Sequence, residues 1–94
     1  MQAIWKKKVI AHSHHTIVID GYHYFPASSV KSSFFKDSNT VTTCHWKGEA
    51  HYKHLVWEDE VKFDAVWYYP DPRPAAREIQ GYFAFWRGVQ IVDG

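Results

Sequence analysis

The sequence predicts a mainly β fold, one small domain of bent antiparallel sheets that spans residues 1–94 and carries two short helices. Residues 61–69 alternate between apolar and polar side chains, as a strand with one buried face does. Most connections between strand-forming runs are too short for a parallel crossover, so hairpins should dominate. An aromatic content of 18% supplies large side chains for a small core, and 94 residues suffice for one domain.

The N-terminal part is predicted to form a hairpin. Residues 4–11 and 16–20 are rich in strand formers, and the polar residues 13–15 lie between them as a turn. Three consecutive lysines at positions 6–8 would then belong to an edge strand, where charge prevents pairing with another sheet.

A turn, a strand and a short helix are predicted next. Asp20-Gly21 supplies the turn, and residues 22–25 form the strand. Pro26 suits the first position of a helix, because proline lacks the amide hydrogen that is unpaired there. Val30 and Phe34 are four residues apart and would share the inner face of this helix.

The central part is predicted to contain three strands. Residues 40–43 form the first, and a turn at residues 47–48 leads into the second at residues 49–57. The acidic residues 58–60 connect it to the third at residues 61–69. Period-two alternation directs one set of side chains in this third strand to the core: Val61, Phe63, Ala65, Trp67 and Tyr69.

The C-terminal part is predicted to begin with a crossover. Residues 70–74 include three prolines, which cannot donate ladder hydrogen bonds, so this segment should lie at the surface. A short helix over residues 75–80 would end at Gly81. Residues 82–86 and 89–92 would then pair as a hairpin.

Charge and cysteine content limit the partners and the compartment. Eleven Lys and Arg against ten Asp and Glu leave a formal charge of +1, which argues against a nucleic-acid partner. Cys44 is the one cysteine and has no internal partner for a disulfide. No signal segment and no apolar run near the length of a membrane span is visible, so we expect no membrane contact and a cytoplasmic location.

Two segments are predicted to form a ligand-binding pocket. Residues 40–52 bring hydroxyl, thiol, ammonium and phenol groups into one strand-turn-strand unit. Residues 67–71 carry aromatic side chains into the irregular proline loop, where a cleft can open. The candidate ligand-binding residues are Thr42, Cys44, Lys47, Tyr52, Trp67, Tyr69 and Asp71.

The chemistry of the first segment has two interpretations. Lys47 could bind a phosphate or carboxylate as a point charge, and Cys44 could act as a nucleophile if its pKa is lowered by a neighbouring cation. Alternatively, the cysteine is inert beneath a tight turn and the lysine lies in solvent. The sequence assigns no catalytic residue and no cofactor.

A metal site is not predicted, although the chain has seven histidines. His51 and His54 are three residues apart and would project to opposite faces of a strand. No Cys-x-x-Cys pair is present to anchor a structural zinc ion. The acidic residues 58–60 fall in a turn, and no glycine-rich phosphate loop accompanies them.

Several motifs together resemble a family of bacteria and archaea, the domain of unknown function 427. The motifs that carry this resemblance are Gly21-Tyr22-His23-Tyr24-Phe25-Pro26, Lys47-Gly48-Glu49-Ala50, Ala65-Val66-Trp67-Tyr68-Tyr69-Pro70 and Gly81-Tyr82-Phe83-Ala84-Phe85-Trp86. The resemblance implies an Mss4-like (β-tent-like) roll without the zinc knuckles of that superfamily, and it carries the label nucleotidyltransferase. His45 departs from the pattern, since members of the family usually have proline there.

Three functions follow as hypotheses. The first is a small-molecule-binding module with a polar and aromatic pocket. The second is a nucleotidyltransferase-like enzyme acting on a nucleotide or another phosphorylated molecule, with Lys47 binding the phosphate and Cys44 or His45 as the reactive group. The third is a protein-interaction module without a small ligand, and the oligomeric state stays open in all three.

Overall fold

The computed structural model describes residues 1–94 and contains nine strands and three short 3₁₀ helices. The strands are β1 (Gln2–Trp5), β2 (Lys8–His12), β3 (Ile17–Ile19), β4 (Tyr22–Tyr24), β5 (Phe35–Cys44), β6 (Gly48–Trp57), β7 (Glu60–Tyr68), β8 (Phe83–Phe85) and β9 (Gln90–Val92). The 3₁₀ helices are Ala27–Ser29, Ser32–Phe34 and Pro74–Ile79. All strand pairs are antiparallel, which confirms the predicted fold class. None of the helices has the length and apolar character needed to cross a bilayer.

The central sheet has the strand order β5-β6-β7-β8. The β3–β4 hairpin continues it beyond β8, because Phe25 and Phe83 exchange two backbone hydrogen bonds of 2.8 Å. A separate three-stranded sheet has the order β2-β1-β9. The two ends of the chain therefore pair with each other in this smaller sheet.

Adjacent residues of the central sheet face two different cores. On β7 Val66 belongs to one cluster and Trp67 to the other, and on β8 Phe85 and Ala84 divide in the same way. Successive strand residues point to opposite faces, so the two clusters lie on opposite sides of the sheet. The first face packs against β1 and β2. The second face is covered by the β3–β4 hairpin and by the 3₁₀ helix Pro74–Ile79.

A β-bulge in β7 changes which side chains are buried. Asp64 has φ 51°, and between the pairs Lys53–Val66 and Leu55–Lys62 a single residue of β6 lies opposite three of β7. The irregularity breaks the alternation that continuous pairing would impose. The predicted core face is therefore wrong at its start: Val61 is 45% exposed and Phe63 is 74% exposed, whereas Ala65, Trp67 and Tyr69 are buried.

Both terminal hairpins differ from the prediction. Lys6 and Lys7 have φ values of 53° and 64° and form the turn between β1 and β2, so residues 4–11 are not one strand. Of the three lysines, only Lys8 belongs to an edge strand, β2. The strands β8 and β9 do not pair with each other. β8 pairs with β7 and β9 with β1, so residues 86–89 cross from one sheet to the other.

The two predicted helices are replaced by 3₁₀ turns. After Pro26 the chain makes two three-residue turns interrupted at Val30, which has an extended conformation with ψ 147°. Phe34 is buried, as expected for an inner-face residue. The predicted helix before Gly81 is a 3₁₀ segment in which Ala76 departs from helical geometry.

Candidate functional site

A cleft of about 420 Å³ opens on the second face of the central sheet. Its walls are mainly aromatic side chains, and charged groups from three different segments line it as well. The β3–β4 hairpin contributes one side, β6 and β7 contribute the floor, and the segment after β8 contributes the other side. The lining residues are Asp20, Tyr22, Tyr24, Lys47, Tyr52, Phe63, Asp64, Trp67, Tyr69 and Trp86.

Three aromatic rings, Tyr22, Trp67 and Trp86, form what we call the aromatic cage. The rings of Tyr22 and Trp86 are nearly parallel, with an interplanar angle of 22° and centroids 6.5 Å apart. The ring of Trp67 is steeply inclined to both, at 83° and 69°. Trp67 is 8% exposed, whereas Tyr22 and Trp86 are 37% and 43% exposed. The cage therefore has a buried ring at its base and two accessible side walls.

A hydrogen bond fixes the base of the cage. The indole Nε1 of Trp67 donates to the hydroxyl of Tyr24 at 3.2 Å. Tyr24 is 1% exposed, so this contact is buried beneath the rings. Burying the indole costs little free energy when its N–H has a partner.

An ion pair with one buried partner closes one end of the cleft. The ammonium of Lys47 donates to Asp20 Oδ2 at 2.9 Å, and its side chain is 8% exposed while that of Asp20 is 61% exposed. Burial alone would lower the pKa of Lys47, but the hydrogen bond and charge of Asp20 hold this pKa above its ordinary value of 10.5. The ammonium therefore stays charged, and an anion already accepts from it.

The position of Lys47 depends on the glycine that follows it. Gly48 has φ 111°, and a Cβ atom there would lie 3.3 Å from the backbone nitrogen of Arg73. The same nitrogen donates to the carbonyl of Lys47 at 2.8 Å. This close approach connects the turn before β6 to the proline loop.

Cys44 lies next to the same ion pair. Burial raises the pKa of its thiol, but the backbone N–H groups of Lys47 and Trp46, the Lys47 ammonium and the Tyr69 hydroxyl together lower this pKa below the ordinary value of 9.0. The pKa of Tyr69 is raised, because its phenol is buried and lies near Tyr24 and Cys44. The thiol is partly buried and does not itself line the cleft.

A second carboxylate, Asp64, lies in the cleft at the β7 bulge. Ser38 Oγ donates to its Oδ1 at 2.5 Å, and Thr40 Oγ1 donates to its Oδ2 at 2.7 Å. Burial would raise the pKa of Asp64, but these two hydroxyl groups, together with the neighbouring His54 ring, hold it below the ordinary value of 3.8. The carboxylate is therefore ionised and oriented at neutral pH.

The histidine beside this carboxylate is held in one tautomer. His54 Nδ1 accepts the backbone N–H of Asp64 at 2.9 Å, so the ring carries its proton on Nε2. The side-chain oxygen of Asp64 lies 3.5 Å from the same Nδ1 atom, which has no proton to donate to it. Ser38 donates to the carboxylate instead of to the histidine, so the three side chains lack the order of contacts of a Ser-His-Asp triad.

The predicted site residues occupy three kinds of position. Lys47, Tyr52, Trp67 and Tyr69 line the cleft. Thr42 and Cys44 lie behind it: the Thr42 hydroxyl is 2.9 Å from the Tyr52 hydroxyl, and Cys44 contacts Tyr69. Asp71 is exposed in the proline loop and does not line the cleft.

Three of the charged or aromatic lining residues, Asp20, Tyr22 and Asp64, have no signal in the sequence that places them at the cleft. Asp20 and Tyr22 belong to the β3–β4 hairpin, which reaches the cleft through the Phe25–Phe83 pairing. The Asp20-Gly21 turn was visible in the sequence, but its position over the central sheet was not. Asp64 lies outside the core-facing set that alternation predicts, and the bulge that turns it into the cleft has no local sequence signal.

No group of three or more His, Cys, Asp or Glu side chains is close enough to hold a metal ion. Asp20 is paired with Lys47, and Asp64 accepts from two hydroxyl groups. Neither carboxylate has a second carboxylate as its partner. The arrangement can thus bind polar and aromatic groups by stacking and hydrogen bonding.

Comparison with protein families gives one match along the whole chain. A family model described as a domain of unknown function (DUF427) matches residues 1–94. None of the curated proteins matches the sequence. Because the family model spans the chain from end to end, the protein belongs to the DUF427 family.

Proposed function

We propose that this protein is a small-molecule-binding module whose ligand occupies the cleft on the second face of the central sheet. The observation that carries the proposal is the aromatic cage, in which two nearly parallel rings stand exposed above a buried third ring. Large exposed aromatic side chains that line a common cavity are typical of ligand sites. A volume of about 420 Å³ falls within the usual range of such sites.

The lining favours a ligand with both flat and polar parts. An apolar or aromatic portion would pack against the cage rings, where burial and ring contacts supply most of the affinity. Polar groups of the ligand would bond to the hydroxyl of Tyr52 or to the carboxylate of Asp64. These groups occupy fixed positions, because Thr42 contacts the first and Ser38 and Thr40 bond to the second.

The same geometry weakens the case for nucleotidyl transfer. That chemistry needs a cradle of cations for the phosphates and carboxylates for magnesium. Lys47 is the one cation that lines the cleft, and its ammonium is already bonded to Asp20. A phosphate would have to displace this carboxylate, which leaves the binding hypothesis as the better supported one.

Thermal unfolding with a ligand panel tests the proposal. The panel contains amines, neutral heteroaromatic compounds, carboxylates, sugar phosphates and nucleotides, the last two with and without Mg²⁺. A ligand at about 100 times its dissociation constant adds about 2.7 kcal/mol of stability, which raises the midpoint by about 10 °C or more in a domain of this size. The expected result is a selective upward shift for one class of compound.

Two matched tryptophan variants locate the binding site. Trp86→Ala removes a cage wall, and Trp57→Ala removes a tryptophan of similar exposure, 38% against 43%, that packs on Phe34 away from the cleft. We expect the ligand shift to disappear in Trp86→Ala and to persist in Trp57→Ala. A panel without any shift, or a shift that survives Trp86→Ala, would contradict the proposal.

A further inference from the structure

The charges that line the cleft do not balance. Asp20 and Lys47 form an ion pair and cancel each other. Asp64 is the other charged residue in the lining, and no lysine or arginine lies within ion-pair distance of it. Its hydrogen-bond donors, Ser38 and Thr40, are neutral hydroxyl groups. His54 Nδ1 lies 3.5 Å from the carboxylate but already accepts the backbone N–H of Asp64. The cleft therefore contains one carboxylate without a lysine or arginine partner.

The aromatic rings that line the same cleft as this carboxylate also favour positive charge. The face of an aromatic ring is electron-rich and attracts ammonium and guanidinium groups. The Trp86 ring already has such a neighbour, because the guanidinium of Arg87 lies 5.3 Å from its centroid. Arg87 does not itself line the cleft, so the cage between Tyr22, Trp67 and Trp86 holds no side-chain cation.

We infer that the cleft recognises a ligand carrying an ammonium group, which packs against the exposed rings of the aromatic cage and pairs with the Asp64 carboxylate. This inference rests on the proposed binding function and specifies the chemical class of its ligand. Steeply inclined aromatic rings beside a carboxylate form the arrangement that selects quaternary and methylated ammonium groups. An anionic ligand would meet the same carboxylate and be repelled.

A pair of isosteric probes isolates the positive charge. Choline and 3,3-dimethylbutan-1-ol have nearly the same shape, but a carbon atom replaces the charged nitrogen in the second. Their affinities are compared by titration of tryptophan fluorescence at low ionic strength, because salt screens the attraction of an exposed carboxylate. We expect choline to bind about tenfold more tightly, as a cation in such a cage gains from both rings and carboxylate.

Asp64→Asn tests the carboxylate without forcing the backbone to change. Asparagine tolerates the positive φ of this position. Its one amide oxygen can still accept from one of the two hydroxyl groups, and its NH2 group can donate to the other after that hydroxyl rotates. Asp59→Asn is the matched control, because it removes the same charge from the exposed β6–β7 turn. We expect choline affinity to fall about fivefold in Asp64→Asn and to stay unchanged in Asp59→Asn, with no effect of either variant on the neutral probe.

Several results would overturn the inference. Equal binding of the two probes, or an equal loss in both variants, would show that charge recognition at Asp64 is absent although the cleft binds a ligand. Binding of a neutral or anionic panel compound at the Trp86-dependent site, without choline binding, would have the same meaning. If no compound of either set binds, the proposed function fails together with the inference.

Discussion

The two faces of the central sheet differ in the kind of aromatic residue that they bury. The first face buries an apolar cluster of eleven side chains, with Phe25, Phe34 and Phe85 among them. The second face buries seven, and its large members are Tyr24, Trp67 and Tyr69, each of which has a polar atom. The cleft, the ion pair and the partly buried thiol all lie on this second side.

This difference separates the face that stabilises the sheet from the face to which we assign ligand binding. A cluster whose one polar side-chain atom is the indole nitrogen of Trp5 gains almost entirely from burial, and every atom removed from it leaves a void. A cluster of tyrosine and tryptophan can end at an open cleft, because their polar atoms find partners at its boundary. A domain of 94 residues has only a small core, so it can open one face only because the other is densely packed.

The largest effect is expected from a truncation on the first face. Leu55→Ala removes a side chain that is 0% exposed and should lower the free energy of unfolding by about 2–5 kcal/mol. Urea denaturation measures the loss, and Val41→Ala is the control because Val41 is 48% exposed on the neighbouring β5. A loss in Leu55→Ala no larger than in the control would show that the first face is not the stabilising core.

Replacing one partner of the ion pair on the second face should cost more unfolding free energy than replacing the other. Asp20→Asn leaves the buried ammonium of Lys47 without an anion and should cost about 1–3 kcal/mol of unfolding free energy. Lys47→Met replaces the buried charge by an apolar chain and leaves Asp20 in water, so its cost should stay below about 1 kcal/mol. Equal or reversed costs in urea denaturation would contradict the burial assigned to Lys47.

The contribution of this ion pair to the stability of the fold should depend on pH, and the direction of the change can be stated. The raised pKa of Lys47 means that the folded state binds its proton more tightly than the unfolded state does. Its contribution to stability is therefore complete below pH 10.5 and is lost as the pH rises through the higher folded value. The alkaline limb of the stability curve should flatten in Lys47→Met.

Asp64 should have a smaller effect on stability, on the acidic side of the pH–stability curve. Its lowered pKa contributes stability above pH 3.8, and this contribution is lost as the pH falls through the still lower folded value. Replacing Ser38 and Thr40 together by alanine should raise the pKa of Asp64 and shift the acid unfolding midpoint upward. Thr43→Ala, an exposed residue of the same strand, is the control, and an unchanged midpoint in the double variant would contradict the hydrogen-bond assignment.

The smallest effect concerns the reactivity of the Cys44 thiol behind the cleft, which is measured in the folded protein. Because nearby donors and the Lys47 ammonium lower the pKa of Cys44, its alkylation rate should reach half of its maximum below pH 9.0. Tyr69→Phe removes one hydroxyl donor and should move this midpoint upward. An alkylation midpoint above pH 9.0 in the wild type would mean that burial outweighs the donors.

Local pattern predicted the β class and the strands that carry half of the site. The turn at Lys47 precedes β6, and the run from Trp67 to Tyr69 lies at the end of the neighbouring β7. Their side chains therefore line the same cleft. The alternation of residues 65–69 could be recognised in the sequence because these residues lie on one side of the bulge in β7. The Mss4-like roll stays a prediction, as does ligand binding by the candidate residues.

The rest depended on contacts that no local pattern encodes. Asp20 and Tyr22 reach the cleft through the pairing of Phe25 with Phe83, which are 58 residues apart by their numbers. Asp64 faces the cleft because a bulge at positive φ is stabilised by His54 from β6 and by hydroxyl groups from β5. Both features arise from long-range packing, and an alternating sequence gives no sign of them.

The five tryptophans permit the most direct test of the claim that the second face binds a ligand. Each indole N–H gives its own signal in a ¹⁵N-edited NMR spectrum, and single Trp→Phe variants assign the signals. Titration with the panel compound that most stabilises the fold should move the signals of Trp67 and Trp86 and leave those of Trp5 and Trp57 in place. Movement of Trp5 or Trp57 without Trp67 and Trp86, or a titration in which no indole signal moves, would contradict it.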